Sequence, residues 1–226
     1  MNPPIIEPKS TMFCARAFLC FKNKNYKQFT SKKGTGNGNQ RHVFGSVYGK
    51  MEILLTDKAF IGIVLSSVEV YKKECLGALL GTQTQGQIIV EHAIPFQAVA
   101  KRTFSEVRPN WRKELKVNEA LPKLVHLQKL GYFHSHPQFG NNKGITGLSE
   151  SDEKSMLETE IEIVVAINEA KQRSWWKESR NELAGSLSDY SIRLAGYYKH
   201  SKDGKISKHR IVCPYAVGFD QAFCER

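Results

Sequence analysis

Residues Gly131 to Asp152 read GYFHSHPQFGNNKGITGLSESD, and this stretch decides how the rest of the chain is understood. Two histidines, His134 and His136, stand one residue apart and are followed by Pro137. Tyr132, Phe133 and His134 predict a short strand over 131–135, and residues i and i+2 of a strand point to one face. Both imidazoles can therefore aim at one point. Pro137 has no N–H for a ladder and ends the strand. Gly140, Asn141, Asn142, Gly144 and Gly147 suit a returning loop. The polar run from Glu150 to Glu160 then predicts a helix, with Ser149 before it and Asp152 in its first turn.

Two neutral imidazoles and a carboxylate form a common catalytic zinc set, with a fourth tetrahedral position left open for water. Zinc lowers the pKa of that water toward ~7. Hydrolysis also needs a general base and profits from a donor aimed at the oxyanion. Ser149 is the candidate donor, and the base must come from elsewhere in the chain. Plainer readings stand beside these. A His-Ser-His on a strand can be a polar edge, and Ser149-x-x-Asp152 is also a helix capping box. A capping serine can face a site, so the last two readings are compatible.

The order His134-Ser135-His136-Pro137 … Ser149-Glu150-Ser151-Asp152 resembles the signature of the JAMM (MPN+) metalloprotease family. The family's glutamate precedes a short apolar strand containing glycine, and Glu74-Cys-Leu-Gly-Ala-Leu-Leu-Gly81 is similar. The resemblance spans about residues 50–200. One departure is the run Pro137 to Leu148, twelve residues between the second histidine and the serine where the family usually has about seven, which implies a remodelled rim. The resemblance implies one zinc ion held by His134, His136 and Asp152. It also implies Glu74 as the base that handles the water's protons, and Ser149 at the oxyanion. By position alone Glu74 reads as a solvated residue after Lys72-Lys73, and the resemblance reverses that reading. The fold implied is α/β (α+β): the MPN fold, similar to cytidine deaminase, a mixed curved sheet flanked by helices on both sides.

Working outward, 226 residues with 41% hydrophobic and 24% charged content suit a globular chain with a core. No apolar run approaches the roughly 18 residues that span a bilayer, so no membrane is expected. The five cysteines are odd in number and lack a C-x-x-C pair, which points to reduced thiols in a cytoplasmic protein. The net charge is +11 and uneven, with nine Lys/Arg against Glu7 alone in residues 1–50. That segment is expected to be a basic extension with a Gly/Asn-rich linker over Gly34 to Gln40, and a strand or hairpin near Ala15 to Phe21. It can attract an acidic partner or nucleic acid. The metalloprotease domain is expected over 51–226.

Within that domain, Met51 to Thr56 predicts a strand. A helix capped by Thr56 or Asp57 follows, with Ile61, Val64, Val68 and Tyr71 on its buried face. Cys75 to Gly81 and Gln87 to Ile94 read as a hairpin. Pro95 to Asn118 reads as irregular, and Leu121 to Leu130 as a helix with Pro122 in its first turn and Gly131 as its stop. Ile161 to Ile167 is a continuous apolar run fit for the centre of a sheet. Leu183 to Leu187, Tyr190 to Tyr198 and Lys208 to Val212 are further strands, the last two joined by a turn at His200 to Lys205. Trp175-Trp176 suggests a partner surface. His42, His92, His126, His200 and His209 read as surface residues.

The function expected is a zinc-dependent isopeptidase that removes the tail of a ubiquitin-like or small modifier or sulfur-carrier protein from its conjugate. The absence of long insertions suggests the simpler, prokaryotic type. A silent or partner-gated scaffold of the same family is one alternative. A nucleic-acid-associated relative, supported by the basic segment, is the other.

Overall fold

The computed structural model describes residues 51–218, apart from 85, 125, 126 and 202. The basic extension and its linker, the expected hairpin near Ala15 to Phe21, Cys14, Cys20, Cys224, His42 and His126 lie outside the described residues.

Among the described residues eleven strands and four helices follow one another: β1 (Glu52–Leu55), α1 (Asp57–Glu69), β2 (Leu76–Gln83), β3 (Gln87–Pro95), β4 (Val99–Arg102), β5 (Val107–Pro109), α2 (Trp111–Leu124), β6 (Gln128–Pro137), α3 (Glu150–Ser155), β7 (Ile161–Glu169), β8 (Lys177–Ser179), β9 (Glu182–Leu187), β10 (Tyr190–Lys199), β11 (Ile206–Val212) and α4 (Pro214–Val217). The strands pair in the order β11-β1-β3-β2-β6-β7-β10, and β10 pairs again with β11. The ring therefore closes as a seven-stranded barrel. β1 runs parallel to β11 and β3, β6 runs parallel to β7, and the other barrel pairs are antiparallel.

Closure comes from a fork in β10. Its first part, Tyr190 to Ala195, pairs with β9, whereas Gly196 to Lys199 pairs with β11. At the fork a side chain on Gly196 would run into Ile53, so glycine lets the strands converge on the core. This closed ring corrects the expected fold. The chain is not an MPN-type α/β sandwich with helices on both faces of an open sheet, because its sheet has joined edge to edge and strands outweigh helices. A closed barrel removes the exposed edges that an open sheet must cover.

One core cluster draws on every strand of the ring and on α1, including Ile53, Ile88, Leu79, Phe133, Ile163, Ile192 and Ile211. Phe133 is fully buried; truncating such a side chain costs about 3–5 kcal/mol. On β7 the odd-numbered Ile161, Ile163, Val165 and Ile167 enter this core. The even-numbered Glu162, Val164 and Ala166 are buried on the opposite face, so the run reads as continuously apolar. β6 lies parallel to β7 with Tyr132, His134 and His136 beside Glu162, Val164 and Ala166. The two histidines therefore share that second face.

Several local expectations change. The N-cap of α1 is Thr56, whose Oγ1 accepts from Ala59 N, as expected. Its buried face is Ala59, Phe60, Ile63, Val64, Ser66 and Ser67, while Ile61 is exposed. The region expected to be irregular holds the β4–β5 hairpin and most of α2. The expected helix over 121–130 is instead the end of α2 followed by the start of β6, and Pro122 lies in the last turn rather than the first. Gly131 does not stop a helix. It sits in β6 at φ +152, where a Cβ would overlap the carbonyl oxygen of Ile161 on β7. Helix α3 is shorter than the expected 150–160. His209 is buried, with Nδ1 at 2.9 Å from the Met51 carbonyl, rather than at the surface. Among the described residues no helix is long and apolar enough to cross a membrane.

Candidate metal centre

His134 and His136 face the same way from the end of β6, and their Nε2 atoms lie 3.0 Å apart. Asp152, in the first turn of α3, brings Oδ2 to 3.6 Å from the first and 3.8 Å from the second. The capping box does the aiming. Ser149 N donates to that same Oδ2 at 2.7 Å, and Asp152 N donates back to Ser149 Oγ at 3.2 Å. Both readings of Ser149-x-x-Asp152 therefore hold at once: the cap is the device that points the carboxylate at the imidazoles.

The outer nitrogens of the rings are occupied. His134 Nδ1 lies 2.7 Å from Glu162 Oε1, and His136 Nδ1 lies 2.8 Å from the Ile145 carbonyl. Both partners are acceptors, so each Nδ1 carries the proton. Each Nε2 of a neutral ring then presents a bare lone pair, and the Asp152 oxygen presents a third. Three acceptors converge with no donor among them, an arrangement that calls for a cation. A proton serves in the metal-free protein: burial disfavours charge on His134, but Asp152 and Glu162 outweigh it and raise the ring to about 10. His136 is pushed down by burial and by the charge on His134. Burial opposes a charged Asp152, yet its bonds to His134 and Ser149 hold it well below the usual carboxylate range.

A metal ion fits the same place. Tetrahedral zinc with ligands at about 2.0–2.1 Å separates its donors by roughly 3.3 Å, close to the three separations seen here. His134, His136 and Asp152 are the group of potential metal ligands found among the described residues, with donor atoms within 4.8 Å of one another.

Glu74 borders this cluster. Ser135 N donates to the Cys75 carbonyl and Cys75 N donates to Ser135 Oγ, so the β2–β6 register extended by two residues beyond Leu76 and His134 sets Glu74 across from His136. Glu74 N donates to Thr103 O at 2.7 Å, which ties this position to the β4–β5 turn. The side chain is 8% exposed. Burial pushes its carboxyl up to about 7; the charge on His134 works against this, and Asp152 and Glu106 add to it. Ser149 lies exposed at the mouth, its Oγ 2.7 Å from Ser151 Oγ.

The twelve-residue loop between His136 and Ser149 lies along the sheet. Gln138 N donates to Ile167 O, and Phe139 and Asn142 exchange a pair of 3.0 Å bonds around Gly140 at φ +57. Tyr197 Oη donates to Thr146 O at 2.8 Å, and Thr146 Oγ1 donates to Glu182 Oε1 at 2.7 Å. The five residues singled out in the sequence are thus brought together. The sequence reading missed Glu162 and the Ile145 carbonyl. Glu162 had a signal: a lone acid inside Ile161-Glu-Ile-Val-Val-Ala-Ile167 must be buried and partnered.

Of the paired tryptophans, Trp175 is 93% exposed while Trp176 packs edge-on against Phe60, with ring centroids 4.8 Å apart. Trp111 is exposed with Arg112 over its ring.

No protein-family model and no curated protein matches the chain. Among solved structures, the chain is similar to the solution structure of protein DSY2949 from Desulfitobacterium hafniense. The two are 18% identical over 71% of this chain and 92% of the other, with a TM-score of 0.47.

Proposed function

We propose that the chain is a zinc-dependent amide hydrolase with a JAMM-type site. Its substrate in this reading is the tail of a ubiquitin-like or small modifier or sulfur-carrier protein, released from a conjugate. The observation that carries the reading is the convergence of His134 Nε2, His136 Nε2 and Asp152 Oδ2 with both Nδ1 atoms engaged elsewhere. Zinc suits two imidazoles and one carboxylate, and one ion per chain is expected. When bound, it supplies Lewis acidity that makes water nucleophilic near neutral pH.

The chain's own residues supply the rest. Glu74, poised near 7, accepts a proton from the attacking water and returns it to the departing amine. A carboxyl with its ordinary pKa would be a weaker base at neutral pH. The Ser149 hydroxyl accepts from Asp152 N, and with Ser151 Oγ as the donor in their 2.7 Å contact its own proton is free to turn to the oxyanion of the scissile carbonyl. The two cysteines described, Cys75 and Cys213, are unpaired buried thiols, which favours a reducing compartment such as the cytoplasm.

The test is Glu74→Gln assayed on linear and lysine-linked fusions of small modifier proteins. Cleavage should fall by at least about 100-fold with bound zinc unchanged. Full turnover in that variant would remove Glu74 from the mechanism.

A further inference from the structure

Ile145 is an odd residue to hold a metal ligand. Its side chain is 65% exposed, so its own packing does little to fix its backbone. Yet its carbonyl is the acceptor for His136 Nδ1. A neutral imidazole in water favours the proton on Nε2, the nitrogen that must here be bare, so something has to keep that carbonyl in place.

On its C-terminal side Thr146 is tied to Tyr197 and Glu182, and on its N-terminal side the tie comes from β7. Asn168 Oδ1 accepts from Gly144 N at 2.8 Å, and Asn168 Nδ2 donates to Gly144 O at 3.1 Å. The carboxamide thus grips both backbone groups of the residue before Ile145, using its donor and its acceptor together. Asn168 is 8% exposed, anchored in the strand beside β6. Gly144 completes the fit, because a Cβ there would overlap the His136 carbonyl oxygen. Only a glycine lets the loop backbone lie this close to the ligand strand.

We propose that Asn168 is a positioning residue for the metal centre. By clamping Gly144 it holds the Ile145 carbonyl against His136 Nδ1, and so sets which nitrogen of that imidazole faces the metal. The Asn168 side chain bonds to the backbone of Gly144 rather than to an imidazole. It acts through the backbone of a loop whose length departs from the family pattern. β7 then serves both histidines, through Glu162 directly and through Asn168 at one remove. The consequence for zinc rests on the function proposed above, whereas the consequence for the tautomer rests on the loop alone.

The experiment uses the full chain with ¹⁵N-labelled histidine, first metal-free and then titrated with zinc against a competing chelator. In the wild type, His136 carries its proton on Nδ1. In Asn168→Ala the His136 signals move toward the Nε2–H form, the His134 signals stay in place, and zinc binds roughly 10–100-fold more weakly. Asn168→Asp keeps the acceptor for Gly144 N but loses the donor, and falls between the two. Ile145→Ala leaves both readouts unchanged, since the carbonyl and not the side chain is used. General loss of structure would move both histidines together. A wild-type His136 protonated on Nε2 overturns the proposal. So does an Asn168→Ala protein with unaltered tautomer and zinc affinity. If the wild type takes up no zinc yet shows the Nδ1–H form that Asn168→Ala removes, the positioning role stands and the zinc reading fails.

Discussion

His134 Nδ1 lies 2.7 Å from Oε1 of Glu162, a buried carboxylate on the neighbouring parallel strand. This contact fixes the ring's orientation, makes Nε2 the free nitrogen and increases its strength as a donor. Glu162→Gln keeps an acceptor for Nδ1 but loses the charge. Zinc affinity should fall by about 10–100-fold, as for outer partners of metal-bound histidines generally. Glu162→Leu leaves Nδ1 without a partner in a buried place and should lose more. Chelator competition measures both.

Glu74 gives the pH dependence a definite sign. Its carboxyl sits near 7 when folded, against an ordinary 4.5. The folded protein therefore binds more protons at this site than the unfolded chain between those values. Stability from Glu74 is greatest below about 4.5 and declines as the pH rises to about 7. Metal-free Glu74→Gln should lack this decline, so its melting temperature should gain on the wild type as the pH rises from 5 to 8. Thermal scans of the two proteins across that range check the sign. Turnover runs the other way. It needs the carboxylate and should rise with pH through the Glu74 pKa, which a bound cation lowers from its metal-free position.

Ser149 has two duties that one substitution separates by size. Ser149→Ala removes the N-cap of α3, costing about 1 kcal/mol of stability. It also removes the oxyanion donor, which should lower kcat by about 10²–10³. Ser149→Gly keeps most of the cap's stability, at a cost of only a few tenths of a kcal/mol, and should still lose the rate. Denaturation curves beside single-turnover assays distinguish the effects. Full activity in both variants would show that Ser149 serves the cap alone.

Gly131 tests the packing that brings the ligand strand against β7. At φ +152 and in contact with Ile161, it leaves no room for a methyl group. Gly131→Ala should destabilise the domain by at least about 1–3 kcal/mol, measured by denaturant unfolding. It should weaken zinc binding only indirectly, as β6 shifts along β7.

Much of this architecture was legible because apolar runs announce buried strands. β7 and the β2–β3 hairpin show themselves in that way. Helix α2 was not, because its residues 111–121 are largely polar and exposed and lack a clear buried stripe. Gly131 was misread as a helix stop because a close backbone approach and a helix terminus both call for glycine. Barrel closure was invisible for a different reason. It depends on β1 pairing with β11, some 158 residues away at Glu52 and Arg210, and on the fork in β10. Neither leaves a local pattern. The grouping of His134, His136 and Asp152 was legible through their order in the chain, whereas Asn168 and the Ile145 carbonyl act through the backbone and leave no motif.

Metal content decides the central claim most directly. Mass spectrometry should be run on full-length protein purified without added metal, wild type beside His136→Ala. About one zinc per wild-type chain, absent from the variant, is the expected result. No metal in either protein, even after zinc is offered, would mean that the three converging acceptors are held by a proton alone and that the hydrolase reading is wrong.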